Sequence, residues 1–150
     1  MKKMSNVKKG FTLVEIIVVI AIIGILASFL VGAFTGIKRT TRDAQRKTDL
    51  RSIQSALEIY RSDKGDYPSP DPSNPFDPCG GSWTVDGTVY IQKIPCDPLG
   101  GAYTYSYPVV AGGYELIACL EDLSDKQKDA TNNITYCNGT AKWSYTLKNP

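Results

Sequence analysis

From Ile16 to Phe34 the chain carries no charged residue. As a helix that run is about 28 Å long, close to the hydrocarbon thickness of a bilayer. It commits residues 11–34 to a membrane or to the interior of a helical bundle. One acid, Glu15, stands near its start, and four lysines (Lys2, Lys3, Lys8, Lys9) precede it. A carboxylate in a membrane helix costs roughly 2.5–3.5 kcal/mol at mid-bilayer, and less near a helix end where it reaches the interface.

The lysines before the apolar run give residues 1–10 the look of a targeting leader. Val31-Gly32-Ala33 offers a loose cleavage site for an ordinary secretory signal. The length of the run and the position of Glu15 argue against that reading. Charge alone leaves the orientation open. The leader lysines favour a cytoplasmic N-terminus, but Lys38, Arg39, Arg42, Arg46, Lys47 and Arg51 flank the other end.

Residues 35–64 continue as a helix without a breaker. Leu50, Ile53, Leu57 and Tyr60 recur at helical spacing as one apolar stripe. Arg42, Asp43, Arg46, Lys47, Asp49, Arg51 and Glu58 are expected on the solvated face, with Asp43–Lys47 as an i,i+4 pair. An unbroken helix from Phe11 to Ser62 would measure roughly 78 Å. No aromatic residues interleave the basic run to stack on single-stranded nucleic acid.

Gly65 ends the helix. Residues 65–81 follow as a loop, because five of the nine prolines fall between Tyr67 and Pro78. The period then changes to two. Ser82-Trp83-Thr84-Val85 and Thr88-Val89-Tyr90-Ile91 flank Asp86-Gly87, a hairpin signal. Tyr103, Tyr105 and Tyr107 alternate with polar residues, Tyr114–Leu120 reads as a strand, and 135–147 as a closing hairpin. The fold class is α+β: a long N-terminal helix packed through its second half on a small antiparallel β-sheet domain, residues 82–150.

The chain has no histidine, which removes the commonest general base. No nucleophile motif compensates, so no catalytic residue is assigned. Beyond residue 10 the acids outnumber the bases by two, the wrong balance for a nucleic-acid partner. Cys79, Cys96, Cys119 and Cys137 lack metal-site spacing and point to two disulfides in an oxidising compartment. Of the three pairings, 79–96 and 119–137 close the shortest loops. Each is worth about 3 kcal/mol by chain entropy.

Lys9-Gly10-Phe11-Thr12-Leu13-Val14-Glu15, followed by the apolar helix, resembles the signature of type IV prepilins and type II secretion pseudopilins. The resemblance implies that a prepilin peptidase cuts between Gly10 and Phe11, that Phe11 is N-methylated, and that Glu15 serves assembly, paired with the terminal amine of a neighbouring subunit. It implies an inner-membrane subunit with its N-terminus cytoplasmic and its C-terminal domain outside. Lipid surrounds it before assembly. Its partners are further copies of itself, minor pilins or pseudopilins and an inner-membrane assembly platform. A glycine near Gly24 is common in that family; Gly32 stands where a proline is frequent.

Pro95-Cys96-Asp97-Pro98-Leu99-Gly100-Gly101-Ala102-Tyr103 is similar to an Asp-Pro-aromatic-Gly-x-x-Tyr stretch of type II secretion major pseudopilins, with Leu99 for the aromatic residue. This favours a secretion pseudopilin over a type IV pilus subunit for adhesion, motility or DNA uptake. A membrane-anchored domain that never polymerises is the further alternative. Those relatives can bind calcium in a loop near the sheet. Here Glu121, Asp122, Asp125, Asp129 and Asn132 offer oxygens without regular spacing, and Lys126 and Lys128 intervene. No other cofactor is implied.

Overall fold

The computed structural model describes residues 10–69, 74–100, 105–138 and 142–150, with the side chains of 30–33 and 35 outside the description. Helix α1 spans Leu13–Lys64. The chain divides into two compact units, Met1–Lys38 and Arg39–Pro150.

In the first unit every described side chain is exposed, among them Phe11, Leu13, Ile16, Ile20, Ile23 and Phe29. Among the described residues no helix is long and apolar enough to cross a membrane.

In the second unit α1 packs one stripe against a sheet. Leu50, Ile53 and Leu57 are fully buried and Tyr60 is half-buried. The helix stops at Gly65, whose φ of +87° is the left-handed conformation glycine adopts without a Cβ penalty; its N–H donates to Arg61 O at 2.8 Å. Strands β1 (Trp83–Val85) and β2 (Thr88–Ile91) form the expected hairpin. Asp86 and Gly87 both have positive φ, the turn geometry that matches strand twist.

A separate three-stranded antiparallel sheet has the order β3 (Val109–Val110), β4 (Gly113–Leu120), β5 (Trp143–Lys148). Alternate residues of β4, Tyr114, Leu116, Ala118 and Leu120, join Leu50, Ile53 and Leu57 in the core. The expected closing hairpin is not formed. β5 pairs with β4, from Leu120 opposite Trp143 to Glu115 opposite Lys148. Residues 133–137 are instead a turn, in which Asn133 O accepts the N–H groups of Tyr136 and Cys137.

Tyr105 and Tyr107 are buried core residues flanking a single bridge between Ser106 and Ile117, while Tyr103 lies outside the described residues. The proline-rich loop is less superficial than its composition suggests. Phe76 is buried against Trp83 and Tyr107, with ring centroids at 5.3 and 5.4 Å. Cys79 pairs with Cys96 and Cys119 with Cys137. The first bridge closes the β1–β2 hairpin and the second closes the β4–β5 loop.

Candidate functional site

The first group of residues lies at the start of α1. Thr12 is the residue before the helix, and its carbonyl accepts the first helical bond, from Ile16 N–H at 3.4 Å. Glu15 N–H donates to Thr12 Oγ1 at 3.3 Å. Thr12 N–H and Thr12 Oγ1 both donate to Glu15 Oε2, at 2.8 Å each. This is a reciprocal capping box, which satisfies amide groups that a helix terminus leaves open. The Thr-x-x-Glu spacing was there to be read, but Glu15 draws attention first as an acid inside an apolar run.

Phe11 is 85% exposed. A Cβ added at Gly10 would meet no atom within 4 Å. Nothing within the described chain therefore requires glycine there. Gly24 is equally open, and the side-chain surroundings of position 32 fall outside the description.

The second group clamps the other half of α1 to the sheet. Asp43 and Arg46 continue the apolar stripe one heptad toward the N-terminus, and both are buried rather than solvated. Arg46 Nε and Nη2 donate to the two carboxylate oxygens of Asp97, at 2.7 and 3.0 Å. Its Nη1 donates to Asp43 Oδ1 at 2.7 Å and Glu121 Oε1 at 2.8 Å. Arg42 grips Glu121 through Nε and Nη2, at 2.7 and 2.5 Å. The Asp43 carboxylate accepts the N–H groups of Glu121 and Asp122, capping the chain as it leaves β4. Asp43 thus partners Arg46 and these amides; the expected i,i+4 partner Lys47 reaches Asp125 instead.

A buried charge requires such pairing, since desolvation otherwise expels it. Burial opposes the charge on Arg46, but Asp97, Glu121 and Asp43 outweigh it and its pKa rises. The Arg42 hydrogen bonds, with Arg46 beside them, hold Glu121 down at about 2. Nearby, Tyr105 donates to Asp49 Oδ2 at 2.6 Å, and burial pushes both groups up. Among the described residues no buried side-chain nitrogen or oxygen lacks a partner.

The five oxygen donors considered for calcium do not converge. Glu121 belongs to the arginines. Asp122 accepts from Ser124, and Asp125 accepts from Lys47 and from Gln127 N–H. Asp129 and Asn132 bond to β5. Among the described residues no three acidic, cysteine or histidine side chains gather where they could hold a metal ion. The residues present do not fit a calcium site.

A capped, apolar N-terminal helix segment, continued by a helical segment clamped to a small antiparallel sheet, defines a protein of the pilin-like class. Residues 5–31 match the prokaryotic N-terminal methylation motif, and residues 34–137 match the family described as type II secretion system (T2SS), protein G. Similar proteins include the type II secretion system core protein G of Vibrio cholerae serotype O1, 37% identical over 114 residues (72% of this chain, 76% of the relative). That of Pseudomonas aeruginosa is 34% identical over 142 residues (85% and 93%), and that of Escherichia coli K12 is 32% identical over 127 residues (79% and 85%). No solved structure matches the chain. The chain belongs to the type II secretion system protein G family.

Proposed function

We propose that the chain is a major pseudopilin, a structural subunit that polymerises through its N-terminal helix to support protein secretion. One observation carries this reading: on a single chain, the methylation motif over 5–31 is followed directly by the protein G region over 34–137. The type IV pilus pilin shares the first feature only.

In this account the apolar helix first rests in the inner membrane, N-terminus cytoplasmic and sheet domain outside. A prepilin peptidase cuts after Gly10. A glycine with open space around it, which the chain itself does not need, suits an enzyme that must approach the backbone closely. Cleavage turns the Phe11 nitrogen into an amine, which is then methylated. Glu15 Oε2 takes both Thr12 bonds, leaving Oε1 for a cation such as the terminal amine of a neighbouring subunit. That pair sets register more than it adds stability. The exposed side chains from Phe11 to Phe29 then pack against further copies, with Gly24, Ala27 and Ser28 permitting close approach. Minor pseudopilins and an inner-membrane assembly platform complete the partners, and the role is structural rather than catalytic.

The test is complementation in a bacterium lacking its own protein G subunit. Restored export of its secreted enzymes supports the reading. Surface pili without restored export would identify a pilus subunit, and neither would leave a membrane-anchored domain that does not polymerise.

A further inference from the structure

The loop between β4 and β5 solves a problem set by the sheet. β5 is an edge strand, and an uncovered edge is a template for pairing with other chains. The loop closes it. Asp129 N–H donates to Ser144 O at 2.9 Å, and Ser144 N–H donates to Asn132 Oδ1 at 2.9 Å. Thr146 N–H donates to Asp129 Oδ1 at 3.0 Å and its hydroxyl to Asp129 Oδ2 at 2.6 Å. The Trp143 indole N–H donates to Asp129 O at 2.6 Å. Two side chains and a stretch of loop backbone stand where another strand would.

Two ammonium groups seat the loop by donating to its oxygens. Lys47 Nζ, from α1, donates to Asp125 Oδ2 at 2.5 Å and to Gln127 Oε1 at 3.0 Å. Lys128 Nζ donates to Leu123 O at 2.5 Å and lies 4.9 Å from the centre of the Trp143 ring. Carboxylate, side-chain amide and main-chain carbonyl are the oxygens a hard divalent cation would take. The Cys119–Cys137 bridge holds the two ends of the loop together.

We propose that this loop is a metal-independent clasp, in which Lys47 and Lys128 serve as internal cations and the chain covers its β5 edge without calcium. The clasp tethers the loop to α1 through Lys47 and to the sheet through Asp129 and Asn132. The covered edge is closed to strand addition by another copy, in chelator as in calcium.

The experiment uses the full chain in detergent micelles, with amide exchange and thermal unfolding followed in chelator and in millimolar calcium, and calcium titrated by calorimetry. The proposal expects no saturable heat, an unchanged unfolding midpoint and equal protection of the Ser144 and Thr146 amides. Lys47→Met keeps the side-chain stem but removes the ammonium. It should speed exchange at Ser144 and Thr146 about tenfold in both conditions, leave the β1–β2 hairpin unaffected, and be reversed by Lys47→Arg. Calcium stabilisation of the wild-type chain, or unchanged protection in Lys47→Met, overturns the proposal. Should Lys47→Met not fold, the wild-type comparison decides alone. Neither result bears on secretion, so this inference and the proposed function fail separately.

Discussion

Arg46 and Asp97 meet through two parallel hydrogen bonds in the interior, although 51 residues separate them in the chain. The bond joins the middle of α1 to the segment that follows the Cys79–Cys96 bridge. Removing one partner leaves the other charge buried and unpaired. Arg46→Ala should therefore cost roughly 3–5 kcal/mol of stability, visible as a lower denaturant midpoint. An unchanged midpoint would show that the clamp carries no stability.

The same cluster sets the response to acid. Glu121 is held at about 2, below its ordinary value of 4.5, so the folded state binds a proton there less readily than the unfolded chain. Its contribution is fully present above about 4.5 and is lost as the pH falls toward about 2. Denaturant midpoints measured across that window should fall with pH, and Glu121→Gln should flatten the decline.

Gly113 and Asn149 fit together at the β3–β4 turn. Asn149 Oδ1 accepts from Tyr114 N–H at 3.3 Å and Asn149 Nδ2 donates to Gly112 O at 3.3 Å. A Cβ on Gly113 would lie 2.0 Å from Asn149 Oδ1, so the side chain would have to leave. Gly113→Ala should cost about 1–3 kcal/mol. In the Asn149→Ala background the penalty should shrink, a coupling that a double-mutant cycle measures directly.

At the start of α1, Thr12→Val removes the hydroxyl that both receives the Glu15 amide and donates to its carboxylate. The lost cap is worth about 1 kcal/mol, and Thr12→Ser should restore it. Glu15→Ala should be cleaved normally but assemble poorly. Fibres of normal length from that variant, with no wild-type subunit present, would contradict the role given to Glu15.

Local features were legible in the sequence. The Leu50–Ile53–Leu57 stripe and the Asp86–Gly87 turn each depend on residues a few positions apart, and both stand as expected. The clamp was not, because Arg46 meets Asp97 and Glu121 from distant parts of the chain. A signal did exist: moving Leu50 and Ile53 back by one heptad lands on Asp43 and Arg46, so the buried stripe continues through charged residues. Asp129 and Asn132 offer oxygens that composition alone assigns to an ion, but those oxygens accept hydrogen bonds from the Thr146 and Ser144 N–H groups of β5. Thr135-Tyr136-Cys137 has strand composition yet turns, held by Asn133 and by the bridge to Cys119. Such pairing depends on which strand arrives beside β4, which local alternation does not encode.

The central claim is that this chain becomes a filament subunit by prepilin processing. The mass of the N-terminal peptide, taken from protein in its own cell envelope, tests it most directly. The account predicts a terminus at N-methyl-Phe11. An intact Met1, or a terminus near Ala33 or Phe34, would contradict it.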